Sequence, residues 1–293
     1  MNTTITITGD VVQATSPEGV TATMPIDQFV RKLHPPLMNC GGLVLPHGVH
    51  LYFSTSSTTI FFWELPPAVH HVRWISADSK VPYRMGGAKV LYEDRRLAMP
   101  YVVIVAVFVR DPSGRLVLSG KNEAYFRTAP LEDADDELLF PALLNISKFP
   151  SKVAARMPLT WICTQYLDMQ KLAAESDFNR RVRQSLKALR STMLEAGFNY
   201  SSEHHELTSY WSVSARKIPD VADLDRWEKL SREDPLFVLK VPWLRATVGR
   251  RPMTVRKLVD RIETQFGAKD KTPDTSDSLA RIIFEATPNG DTA

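Results

Sequence analysis

Cysteine is scarce in this chain. Among 293 residues there are two, Cys40 and Cys163, too few for a disulfide framework and without a Cys-x-x-Cys spacing for zinc. In a reducing compartment both are free thiols, and each reads either as a small buried hydrophobe or as a reactive group. Long hydrophobic runs are missing too: Tyr101–Val109 is about half the roughly 20 apolar residues that a membrane helix needs. Met1-Asn2-Thr3-Thr4-Ile5 has neither a basic region nor an apolar signal core, so the expectation is a cytoplasmic protein without membrane contact. No Gly-x-Gly-x-x-Gly, Gly-Lys-Ser/Thr phosphate loop, Gly-x-Ser-x-Gly elbow or His-Glu-x-x-His is present. Nucleotide binding, serine hydrolysis and zinc proteolysis therefore lose their usual support, and neither cofactor nor metal is expected.

A strong charge of either sign is also absent. The formal net charge is +3, too weak to imply nucleic acid without a concentrated patch. The one concentration is Arg180, Arg181, Arg183, Lys187 and Arg190 on a predicted helix. It reads as a solvated helix face, with docking of an acidic protein partner or a nucleic-acid backbone as the functional alternatives.

With 44% hydrophobic and 24% charged residues, the composition is that of an ordinary globular chain, long enough for one elaborated domain or two. Thr and Val alternate over residues 4–12 and 20–24 around Pro17-Glu18-Gly19, which predicts a hairpin. Ile26, Phe29, Val30 and Leu33 then recur at helical spacing before Pro35-Pro36. From Val49 to Leu118 the signal is β: 50–53 paired with 59–63, then 69–75, 88–92, the wholly apolar 101–109, and 115–118 across an Asp111-Pro112-Ser113-Gly114 turn. After Cys163 the pattern turns helical. Val182, Leu186, Leu189 and Met193 form one stripe between Asp168 and Ala196, 221–230 carries Trp227, and Thr254 caps a helix with Val255, Leu258, Val259, Ile262 and Phe266 on one face. Residues 235–244 read as an extended apolar segment returning to the core. The expectation is an α+β fold, an antiparallel β-meander packed against C-terminal helices. Its parts are 1–45 (hairpin and short helix), 46–267 (main domain with helical extension) and 268–293. This last part is a polar tether with a short amphipathic segment at 279–286, which docks on its own domain or serves a partner.

Few residues suggest chemistry. His70-His71 lies in a β run, where neighbours point to opposite faces and cannot chelate one ion. Glu203-His204-His205-Glu206 can supply one or two ligands but lacks a third and fourth, so a surface or capping role is favoured; His205 stands as a proton carrier if it packs near Cys163. Asn145, on the predicted extended segment Phe140–Ile146, is followed by Cys163. An Asn amide can stabilise an oxyanion while a thiolate accepts an acyl group.

Several short stretches carry a family likeness. They are Leu97-Ala98-Met99-Pro100-Tyr101-Val102-Val103; Tyr125-Phe126-Arg127-Thr128-Ala129-Pro130-Leu131; Leu138 to Ile146 with Pro141 and Asn145; and Trp63-Glu64-Leu65-Pro66-Pro67 with Arg73-Trp74 downstream. In these the chain resembles the prokaryotic ubiquitin-conjugating-enzyme-like (UBC-like) proteins, family D, of the kind found in PRTRC plasmid cassettes. The likeness covers roughly residues 45–165. It implies a UBC-like fold and a thioester carrier: a ThiF-like activating enzyme passes a ubiquitin-like modifier to Cys163, with Asn145 as the oxyanion or loop-stabilising amide. The chain departs from the family in the length of 147–158 between those two residues. The other reading of the same architecture is a non-catalytic interaction or assembly protein.

Overall fold

The structure, a computed structural model, describes residues 4–33, 43–54, 58–75, 92–111, 113–149, 157–164, 167–195, 209–267 and 283. The chain divides into two compact units, Met1–Leu43 with Gly267–Ala293, and Val44–Phe266. It is α+β, with antiparallel sheets. Among the described residues no helix is long and apolar enough to cross a membrane.

The first unit is a three-stranded sheet, β1 (Thr4–Thr8), β2 (Val11–Thr15) and β3 (Thr21–Pro25), followed by α1 (Ile26–Leu33). Period-two alternation puts Val12, Ala14, Ala22 and Met24 on one face. Phe29 of α1 and Ile283, fully buried, pack on that face. Of the amphipathic segment at 279–286 only Ile283 is described, and it belongs to this core.

The second unit is built on a larger antiparallel sheet. Its strands are β4 (Val49–Ser54), β5 (Thr58–Leu65), β8 (Tyr101–Arg110), β9 (Leu116–Leu118), β10 (Glu123–Arg127), β11 (Ile146–Ser147) and β12 (Trp161–Ile162). The order is β11-β12-β10-β8-β5-β4, with β9 also on β8. This follows a meander from which the hairpin β6 (Ala68–Ile75) and β7 (Tyr92–Met99) is set aside as its own two-stranded sheet. Pro100 separates β7 from β8, which belong to different sheets; of the strand expected at 88–92 only Tyr92, the first residue of β7, lies within the described residues. A proline lacks the N–H that a continuous ladder would use there.

The apolar stretch of β8 is covered on both faces, Val102 through Phe108 being fully buried. On one face Ile60, Phe62, Val103, Val105 and Tyr125 meet the stripe Val255, Leu258, Val259 and Ile262 of α7 (Val255–Gly267). Thr254 Oγ1 accepts from the Lys257 amide at the start of that helix, the expected cap. Each such buried aliphatic side chain contributes about 2 kcal/mol. On the other face α3 (Phe178–Leu194) buries Val182, Leu186, Leu189 and Met193, and Phe178 lies 6.2 Å from the Phe108 ring. The single helix expected over 168–196 is divided. After α2 (Met169–Ala174), Asp177 begins α3 by accepting from the Arg180 amide.

Helix α6 (Leu224–Glu233), just after the short α4 (Tyr210–Val213) and α5 (Pro219–Ala222), protects the free edge of β7 with side chains. Glu228 accepts from the Arg96 amide at 2.9 Å and Ser231 Oγ from the Ala98 amide at 2.8 Å, while Trp227 Nε1 donates to the Ala98 carbonyl. An unpaired strand edge is otherwise a template for association. Residues 235–244 are not extended: Pro235–Leu239 is a 3-10 turn, capped by Asp234 accepting from the Leu236 amide. The apolar run is explained by the inward packing of Val238, Val241 and Trp243.

Replacing Ile283 by Ala should destabilise the first unit by about 2–4 kcal/mol, as core aliphatic truncations do. Hydrogen exchange should report it as faster exchange at Val12, Ala14 and Met24, with Val102–Phe108 unchanged. Equal protection in the variant would show that Ile283 is not a core residue.

Candidate functional site

Strands β11 and β12 pair antiparallel, Ile146 opposite Ile162, and this brings the two residues singled out for thioester chemistry together. The Cys163 amide donates to the Asn145 carbonyl at 3.2 Å. Both residues are buried, Asn145 at 1% and Cys163 at 5% exposure. The Asn145 side chain turns to α3, where its Nδ2 donates to the Thr192 carbonyl at 2.8 Å. Thr192 lies in the last turn of that helix, where carbonyls have no intrahelical donor, so Asn145 supplies the missing bond. His205, Cys40 and the remainder of Glu203–Glu206 lie outside the described residues.

Near this pair is a buried carboxyl group, that of Glu123, which local sequence spacing does not mark. Glu123 of β10 is fully buried. Its Oε2 accepts from Tyr125 Oη (2.5 Å), from the Leu159 and Thr160 amides (3.0 and 3.1 Å) and from Thr160 Oγ1 (3.3 Å). Burial raises the carboxyl pKa, and these donors with the nearby Arg261 oppose the rise. Burial likewise pushes Tyr210 up, beyond the ordinary phenol range. At the other end of β10, Arg127 donates to the carbonyls of Ala129, Pro130 and Glu137 and pairs with Asp136 at 3.1 Å. The two charges hold the loops on either side of the strand. The only advance signal was Glu123-Ala124-Tyr125-Phe126-Arg127, an apolar triplet between opposite charges.

The basic concentration on α3 is present, with one correction. Arg180, Arg183, Lys187 and Arg190 are exposed, but Arg181 is buried at 3%, donating to the Glu175 carbonyl with its guanidinium 5.6 Å from the Phe178 ring. Desolvation lowers its pKa. Helical spacing explains this: 181 precedes 182 and 185 on the inward side of the turn. Arg180 is 3.7 Å from Glu175.

Beside Arg183 and Lys187 lies a groove of about 370 Å³ between α3 and the segment Val44–His47, with Trp63 and Leu186 also lining it. The segment is held in place. The Val44 amide donates to Asn179 Oδ1 at 2.9 Å, Trp63 Nε1 donates to the His47 carbonyl at 3.0 Å, and the Glu64 amide to the Gly48 carbonyl at 2.8 Å. Gly48 adopts φ +85°, and a Cβ there would lie 2.8 Å from Trp63 Nε1, so only glycine lets the indole approach. Val44 and Leu45 stay exposed at 65% and 41%.

His70 and His71 point to opposite faces as expected, His70 buried and His71 exposed. His70 Nε2 has no hydrogen-bond partner among the described residues. Burial, with Arg190 adding repulsion, pushes its pKa down to about 4. No group of three or more His, Cys, Asp and Glu among the described residues is arranged to hold a metal. Comparison with protein-family models, with curated proteins and with solved structures returned no match.

Two measurements check this region. A folded-state pKa below the unfolded value means that the unfolded chain takes up a proton first. His70 should therefore withdraw stability as pH falls from 6.5 to about 4, by about 3 kcal/mol in all. A ring-proton NMR titration of His70 should give a midpoint near the lower figure; a midpoint near 6.5 refutes the burial. Replacing Asn145 by Ala should cost about 1–3 kcal/mol in urea unfolding, because the Thr192 carbonyl loses its donor inside the protein.

Proposed function

We propose that this chain is a non-catalytic interaction or assembly protein that offers the exposed cations of α3 to an acidic protein partner. The observation that carries the reading is the use of Asn145. The amide that an oxyanion would need donates to the Thr192 carbonyl, closing a helix. Its neighbour Cys163 is 5% exposed, whereas an acyl carrier must present its thiolate to an activating enzyme. Arg180, Arg183, Lys187 and Arg190, by contrast, face outward along one helix. Charges so placed steer an oppositely charged partner and fix its register.

A second reading has one observation in its favour: Cys163 and Asn145 are hydrogen-bonded neighbours, although 147–158 separates them in sequence. In that reading the chain is a UBC-like conjugating enzyme. The Cys163 thiolate attacks an acyl adenylate at the modifier's C-terminus, a thioester C–S bond forms, and AMP leaves. A lysine amine then attacks the same carbonyl: a C–N amide bond forms, the thiolate departs with the C–S electron pair, and the amine's surplus proton passes to water.

Thiol chemistry separates the two. In a Cys40→Ser background, iodoacetamide should modify folded Cys163 at least a hundredfold more slowly than in guanidinium, and Cys163→Ala should capture the partner as well as the parent does. Rapid alkylation, together with a thiol-labile adduct formed with a ThiF-like enzyme and its modifier, would overturn the interaction reading for the conjugating one.

A further inference from the structure

We infer that the groove between α3 and Val44–His47 takes an acidic peptide segment carrying one bulky apolar side chain. The inference rests on the interaction role proposed above and names where and how the partner is held. The apolar parts are Trp63 and Leu186 together with Leu45, which is 41% exposed although it belongs to a segment anchored at both ends. Leaving such a side chain in water has no compensating bond, and a Leu or Phe laid against it would remove that surface from solvent. A space of about 370 Å³ admits one such side chain and its neighbouring backbone, not a helix.

The rim sets the charge of the occupant. Arg183 and Lys187 are separated by one helical turn on the groove side, and α3 has no acidic residue between Phe178 and Leu194 to neutralise them. Carboxylates flanking the anchor would reach both cations. The site is also preformed. The Val44–Asn179, Trp63–His47 and Glu64–Gly48 bonds hold its walls without a ligand, so binding needs little ordering of the protein. Nucleic acid fits less well. A phosphate chain needs a continuous track of cations, whereas this groove offers only Arg183 and Lys187 on one side and the mainly apolar segment Val44–His47 with Trp63 on the other.

The test uses the full-length chain and a fluorescein-labelled pool of dodecapeptides of Asp and Glu with one central Leu or Phe, read by anisotropy. A second pool carries Ser at the centre. The first pool should bind at least tenfold more tightly than the second. Leu45→Asp and Lys187→Glu should each weaken it tenfold or more, with melting temperatures unchanged; Arg190→Glu, on the cationic face but outside the groove, should weaken it less than Lys187→Glu does, and Arg250→Glu, in the exposed turn between Thr247–Val248 and Arg251–Pro252, should change it less than twofold. Equal binding of both pools, with Arg190→Glu as damaging as Lys187→Glu, would overturn the groove and leave the general basic-face reading standing. No binding of either pool, or tighter binding of a twelve-nucleotide single-stranded DNA, would overturn the groove inference as well.

Discussion

The central sheet has no solvent face at β10, and much of the second unit follows from that constraint. All five residues of the strand are buried, yet two of them are charged. A buried carboxylate or guanidinium is tolerated only when hydrogen bonds replace its water. Glu123 therefore gathers donors from β10 itself and from the chain leading into β12, and Arg127 gathers carbonyls from the loop 128–137. Each charge fixes the path of a loop that has little regular structure of its own. Glu64, also buried, does the same at a distance by accepting from the Leu131 amide at 2.7 Å. Buried polar groups here act as tethers between segments far apart in sequence.

The same logic connects the candidate sites. Asn145 was selected because an amide near a thiol suits acyl transfer, but in the fold it ties β11 to α3 as Glu123 ties β10 to β12. An Asn beside a Cys has two possible uses, and the geometry around α3 favours the mechanical one. The outer side of the same helix keeps Arg180, Arg183, Lys187 and Arg190 exposed. One element thus presents an anchored inner face and a cationic outer face, and Arg181 marks the boundary between them.

What was legible in the sequence was whatever is governed by local periodicity. The apolar β8, the stripes of α3 and α7, and the alternation of β2 and β3 follow from side-chain spacing on a helix or strand, and Thr254 announces its helix through a short-range cap. What could not be read depends on partners distant in the chain. Strand β7 carries Glu93, Asp94, Arg95 and Arg96, a charged run without strand character; it pairs because Arg95 meets Glu93, Asp225 and Glu228 and because α6 covers its edge. The groove was hidden for the same reason. Trp63 belongs to a strand, Leu45 to a loop and Lys187 to a helix, and no spacing rule links them. The adjacency of Asn145 and Cys163 likewise depends on the β11–β12 ladder, and the long stretch between them argued against it.

The burial of Ile283 has a consequence for how the chain is made. The apolar face of β1–β3 and Phe29 leaves the ribosome early, but the residue that completes its core comes more than 250 positions later. At roughly 5–20 residues per second, that gap is on the order of ten seconds to a minute. Until then the face made by Val12, Ala14, Ala22, Met24 and Phe29 lacks the Ile283 side chain that covers it in the finished unit.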